Sequence, residues 1–132
     1  MIVEDDDVNL LVLQLMLKQE GYETIAAVDG PAAIELADTH RPSLVLMDLS
    51  MPKMDGITAA NAIRRRLNEA APLFVAVTAH VTPHHRQLCE EAEFVDFVEK
   101  PIDRQRLFAI IRRILDEDRP ADHAMERRRF LA

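Results

Sequence analysis

Two stretches of this chain are apolar at every position, Leu44-Val45-Leu46-Met47 and Leu73-Phe74-Val75-Ala76-Val77, and each ends on a polar residue, Asp48 and Thr78. Short runs without a polar member read as central strands of a parallel sheet covered by helices on both faces. Strands of such a sheet, joined by helical crossovers, all end at the same edge, so residues distant in sequence meet in one crevice. Two further landmarks stand where apolar stretches end: Glu4-Asp5-Asp6-Asp7 after Ile2-Val3, and Lys100 just past the stretch ending at Phe97-Val98. The converged set of carboxylates, one hydroxyl and one ammonium reads as a site for a divalent cation and a phosphoryl group.

The rest of the chain supplies the crossovers. Val8, Leu11, Val12, Leu15 and Met16 follow helical spacing, with Gly21 as a C-terminal cap. Residues 23–28 predict a weak second strand, and Asp29-Gly30-Pro31 opens a second helix that stops before Arg41-Pro42. Asp55-Gly56 launches a third, with Ile57, Ala60, Ile63 and Leu67 inward. Thr82-Pro83 starts a fourth that has little to bury beyond Leu88, Cys89 and Ala92. Residues 94–98 predict a fifth strand, and Leu107, Phe108, Ile111, Ile114 and Leu115 a last helix that fades near Asp118. The pattern is (βα)₅, an α/β doubly wound parallel sheet. Residues 119–132, with Pro120 and the basic run Arg127-Arg128-Arg129, fall outside it and read as a solvated tail or short docking helix.

With 132 residues, one domain with one core is expected. A net charge of −7 argues against non-specific nucleic-acid binding, and no recognition helix follows the fifth crossover. There is no membrane-length apolar run and no signal-peptide pattern. The single cysteine, Cys89, suits a reducing compartment, so a cytoplasmic location is expected.

Carboxylates at 4, 5 and 48 brought together would repel and raise one another's pKa values, and a hard divalent ion such as Mg²⁺ relieves that. A carboxylate so placed can attack phosphorus while Lys100 and the Thr78 hydroxyl bind phosphoryl oxygens. At this point the sequence resembles the receiver domain of two-component response regulators. The likeness spans roughly residues 2–117 and rests on Asp48-Leu49-Ser50-Met51-Pro52-Lys53-Met54-Asp55-Gly56, Val77-Thr78-Ala79 and Lys100-Pro101 at the family's mutual offsets.

The resemblance implies a flavodoxin-like five-stranded sheet of order 2-1-3-4-5, with residues 1–118 as the domain. It makes Asp48 the phosphoacceptor, with Glu4, Asp5, Asp48 and the backbone carbonyl of Ser50 holding Mg²⁺. Thr78 becomes the switch hydroxyl, Lys100 the phosphate-contacting lysine before a cis Pro101, and Phe97 the switch aromatic. Ser50 and His80 fall where the family tunes phosphoryl lifetime. The phosphodonor would be a histidine kinase or histidine phosphotransfer protein. Output, to a downstream protein or a homodimer, would pass through the face of the fourth helix, fifth strand and fifth helix. Two features depart from the family. Only three residues precede Glu4 where a fuller first strand is usual, and Ala92-Glu93-Phe94 stands where a glycine turn is usual.

Simpler readings exist for single residues. Asp6 or Asp7 can cap the first helix, Thr78 and Lys100 can be ordinary strand-end and surface residues, and Phe97 can be core. His80, His84 and His85 lack partners at metal-ligand spacing. Two other functions compete with the signalling switch. One is a metal-dependent phosphatase of the haloacid-dehalogenase type, suggested by Asp5-x-Asp7 after a short strand. The other is a receiver-fold interaction module that is never phosphorylated.

Overall fold

The computed structural model describes residues 1–79 and 82–117. Its strands are β1 (Ile2–Val3), β2 (Ala26–Ala27), β3 (Leu44–Asp48), β4 (Leu73–Thr78) and β5 (Asp96–Glu99). They alternate with α1 (Asp7–Gln19), α2 (Gly30–His40), α3 (Gly56–Leu67), α4 (Pro83–Glu91) and α5 (Arg104–Arg112). Every pairing is parallel and the sheet order is β2-β1-β3-β4-β5. This is the doubly wound topology expected from the alternation. β3 is buried at all five positions, as an all-apolar strand covered on both faces must be. His80 and residues 118–132, including the expected tail, lie outside the described residues.

Side-chain caps set the helix starts. Asp6, Asp29, Asp55 and Thr82 each accept a hydrogen bond from a backbone N–H in the first turn of the helix that follows. Of the two expected capping candidates for α1, Asp6 is the cap and Asp7 lies in the first turn. Gly21 takes φ 85° just after α1, a left-handed conformation that glycine adopts without cost.

The two outer strands are shorter or shifted from expectation. β2 keeps only two residues of the 23–28 stretch, and β5 starts at Asp96, because Phe94 is spent in the turn, packed 5.7 Å from the Phe74 ring. α1 differs more. The stripe Val8, Leu11, Val12 and Leu15 points outward, 69%, 55%, 41% and 50% exposed, while Leu13 and Leu17 enter the core with Leu10 and Met16 against it. Both faces of this helix are aliphatic, so spacing alone does not choose between them.

Candidate functional site

Sheet register assembles the site. Val3 pairs with Met47, so the next residues, Glu4 and Asp48, stand side by side at the strand ends. Asp48 pairs with Val77, which brings Thr78 to the same edge, and Thr78 pairs with Glu99. The Lys100 N–H donates to the Thr78 carbonyl at 2.8 Å, carrying the lysine over the crevice, and the Lys100–Pro101 peptide is cis as expected. Four residues distant in the chain thus meet through ladder geometry alone.

The loop after β3 lies tight against the strand end. A Cβ on Gly56 would sit 2.3 Å from the Asp48 carbonyl oxygen, so only glycine lets α3 start there. The Ser50 N–H donates to Asp48 Oδ1 at 3.1 Å, and Lys53 Nζ reaches Asp29 Oδ2 at 3.4 Å, tying the loop to the start of α2.

Glu4, Asp48 and Thr78 are the buried polar side chains of the described core. Lys100 Nζ lies 2.8 Å from Glu4 Oε1 and 3.5 Å from Asp48 Oδ2, an ammonium between two buried carboxylates. Burial and the Glu4 carboxylate push the Asp48 carboxyl up to about 7, against the pull of the Ser50 amide and Lys100. Burial alone would raise Glu4 too, but hydrogen bonding to Asp48 and the Lys100 ammonium holds it below its usual value. Lys100 is held above its ordinary value: burial opposes its charge, and the two carboxylates outweigh burial. The pairing of Lys100 with Glu4 is the feature that sequence reasoning missed, since a strand-end lysine carries no mark of which acid it will face.

Asp5 completes the cluster from the solvent side. Carboxylate oxygens of Glu4, Asp5 and Asp48 lie within 4.8 Å of one another. Two buried acids and one exposed acid, all oxygen donors and short of positive charge, form a set that a hard divalent cation fits. Among the described residues this is the only such acidic, histidine or cysteine cluster, so His84 and His85 form no metal site.

Phe97 is half-buried between two guanidinium groups, with Arg86 Cζ 4.8 Å and Arg106 Cζ 5.9 Å from its ring centre. Beside it opens a cavity of about 510 Å³ whose lining includes Arg86, Phe97, Lys100, Pro101 and Arg106.

The family model of the response regulator receiver domain matches residues 1–112. The chain belongs to that family. Its sheet order and strand-end site agree with a receiver of two-component signalling, a signalling domain and not a classical enzyme. The chain is 34% identical to the sensor protein GacS of Pseudomonas syringae pv. syringae over 112 residues, 83% of this chain and 12% of GacS. It is 37% identical to the transcriptional regulatory protein PdtaR of Mycobacterium tuberculosis H37Rv over 112 residues, 84% of this chain and 53% of PdtaR. The solved receiver domain of the sensor histidine kinase PA1611 from Pseudomonas aeruginosa PAO1, with magnesium in its active-site cleft, superposes with a TM-score of 0.78. That pair is 34% identical over 86% of this chain and 93% of the other. The receiver thus spans a small part of the kinases it resembles and about half of PdtaR. Among its described residues no helix is long and apolar enough to cross a membrane.

Proposed function

We propose that this receiver takes a phosphoryl group onto Asp48 from a histidine kinase or histidine phosphotransfer protein, in the cytoplasm, within residues 1–118. The observation that carries the reading is the buried pair Glu4–Asp48 with Lys100 across it. An Asp48 oxygen attacks phosphorus, the P–N bond of the donor phosphohistidine breaks, and its electrons leave with the imidazole, which takes a proton. Lys100 favours the ionised, attacking form of Asp48, and its ammonium and the Thr78 hydroxyl then face the transferred oxygens. Mg²⁺ held by Glu4, Asp5, Asp48 and the Ser50 carbonyl would supply charge neutralisation at phosphorus. Uptake adds charge at the edge where β4 ends, drawing Thr78 inward and letting Phe97 and the lightly packed α4 resettle. The output face is therefore α4, β5 and α5, open to a downstream protein or a second copy.

The donor's own surface has a candidate landing place. The aliphatic stripe of α1 begins at Val8, three residues beyond Asp5, so a helix bringing a phosphohistidine to the crevice would lie along it. Leu11→Glu should slow uptake from a phosphotransfer protein roughly tenfold or more while leaving uptake from a small phosphodonor unchanged. Equal slowing with both donors would remove α1 from the docking surface.

Retention separates this reading from the phosphatase alternative, which family membership leaves without support. With a small phosphodonor and Mg²⁺ the protein should gain one phosphoryl group and lose it slowly, without sustained turnover of a phosphate ester. Sustained turnover, lost in Asp5→Asn but kept in Asp48→Asn, would support the enzyme instead. A protein that takes up no phosphoryl group under these conditions would be the unphosphorylated interaction module.

A further inference from the structure

Three arginines stand in a row near the end of α3, and they do different things. Arg66 pairs with Asp38 at 3.1 Å on the surface, and Arg65 is exposed. Arg64 turns inward across the sheet face to the far end of α4. Its Nη1 donates to the carbonyl of Ala92, and its Nη2 donates to the carbonyl of Glu93 at 2.8 Å. Its guanidinium lies 4.7 Å from the Phe74 ring centre and 5.9 Å from that of Phe94, so aromatic side chains hold the fork in place.

The carbonyls it grips belong to the turn that departs from the family's glycine. Glu93 takes φ 59°, a left-handed conformation that costs a residue bearing a Cβ. The Glu93 and Phe94 N–H groups close the turn onto Glu90 and Cys89 at 3.0 Å each. Arg64 meets the Ala92 and Glu93 carbonyls just beyond α4, a cation placed where a helix C-terminus favours one. Elsewhere α4 is loosely held, since within Pro83–Glu91 it buries Cys89 alone.

We propose that Arg64 is a positioning residue that pins the C-terminal end of α4 to α3 and β4, making Ala92–Glu93 the fixed pivot about which the N-terminal part of α4 moves. This rests on the reading that phosphoryl uptake at Asp48 is relayed to α4, and it adds where the motion stops and what stops it. The fork is the essential property. A lysine at this position keeps the charge but cannot bridge two carbonyls in one plane while stacked on two rings.

The test is amide hydrogen exchange on the full chain, with and without a small phosphodonor and Mg²⁺. The unsubstituted protein, Arg64→Lys, Glu93→Gly and the double variant are compared. Within α4 and its C-terminal turn, the phosphoryl-dependent change in the unsubstituted protein should fall on residues 82–88, with 89–94 slow in both states. In Arg64→Lys, residues 89–94 should exchange roughly tenfold faster, and the phosphoryl-dependent change should spread into them. Phosphoryl uptake, which Arg64 does not touch, should be unchanged. Glu93→Gly removes the left-handed penalty and should restore most of the slow exchange in the double variant. Wild-type exchange at 89–94 in Arg64→Lys overturns the proposal. So does faster exchange spread evenly over the sheet and not rescued by Glu93→Gly, which would mark a general packing role. Absence of any phosphoryl-dependent change in the unsubstituted protein would instead overturn the relay on which the pivot rests.

Discussion

Lys100→Met should lower phosphoryl uptake from a small donor by at least about 100-fold and destabilise the metal-free fold by roughly 2–3 kcal/mol. The ammonium lies 2.8 Å from one buried carboxylate and 3.5 Å from another, so methionine fills its volume but leaves both acids uncompensated. The energy is set at the lower end because Lys100 itself keeps 21% of its surface in water. The sign of the pH dependence follows from Asp48. Its carboxyl, ordinarily near 3.8, is pushed up to about 7, so the folded protein keeps a proton that the unfolded chain releases. That contribution is fully present below about pH 4 and is lost as pH rises through 7. Without Lys100 the Asp48 carboxyl moves further up and Glu4 loses the ammonium that holds it down, so the loss on raising pH becomes larger. Chemical denaturation at pH 5 and pH 8 in the presence of a chelator reads this out. A variant equally stable at both values would show that Lys100 does not hold the pair.

The second large effect sits at the opposite edge of β1. In a polypeptide that starts at Met1, the Met1 amino group is buried and donates to the Leu44 carbonyl at 2.7 Å, while the Met1 carbonyl accepts from Leu46. Burial pulls its pKa well below the ordinary 8.0. In the window between the folded value and 8.0, the unfolded chain therefore binds more protons, and stability rises with pH. Preceding Met1 with two β-branched residues replaces the amino group by a peptide N–H that makes the same bond with no proton to give up on folding. The extended chain should be more stable by about 1.4 kcal/mol at pH 7, a rise in Tm of roughly 5 °C. The alkaline gain should vanish with it. An unchanged Tm would mean that the amine is hydrated in solution and costs nothing.

How much of this was legible in the sequence depends on how many solutions the local pattern allowed. The runs at 44–47 and 73–77 are too short and too apolar to read as anything but buried central strands ending at Asp48 and Thr78. The parallel alternation then brings Glu4 and Lys100, at the ends of the flanking runs, to the same edge. Capping residues placed the helix starts for the same reason, since one side-chain oxygen meets one backbone donor. α1 is the contrary case. Leu10, Leu13 and Leu17 and the stripe from Val8 to Leu15 are both apolar faces, and only docking on the sheet decides which is buried. The bend at Ala92-Glu93-Phe94 was legible as a missing glycine. Its partner was not, because three consecutive arginines give no sign of which one turns inward. Phe97 was readable as core or as switch, and it lies half-buried between Arg86 and Arg106.

One acyl phosphate is expected at Asp48, formed only with a divalent cation beside Glu4 and Asp5. The most direct test is intact-mass and peptide mass spectrometry after exposure to a small phosphodonor. The unsubstituted protein, Asp48→Asn and Asp5→Ala would each be run with Mg²⁺ and with a chelator. A single phosphoryl adduct is expected on the peptide containing Asp48 in the unsubstituted protein with Mg²⁺. None is expected in the chelator, in Asp48→Asn, or in Asp5→Ala, whose Mg²⁺ affinity should fall with the lost oxygen ligand. A full adduct on Asp48→Asn would contradict the assignment of Asp48.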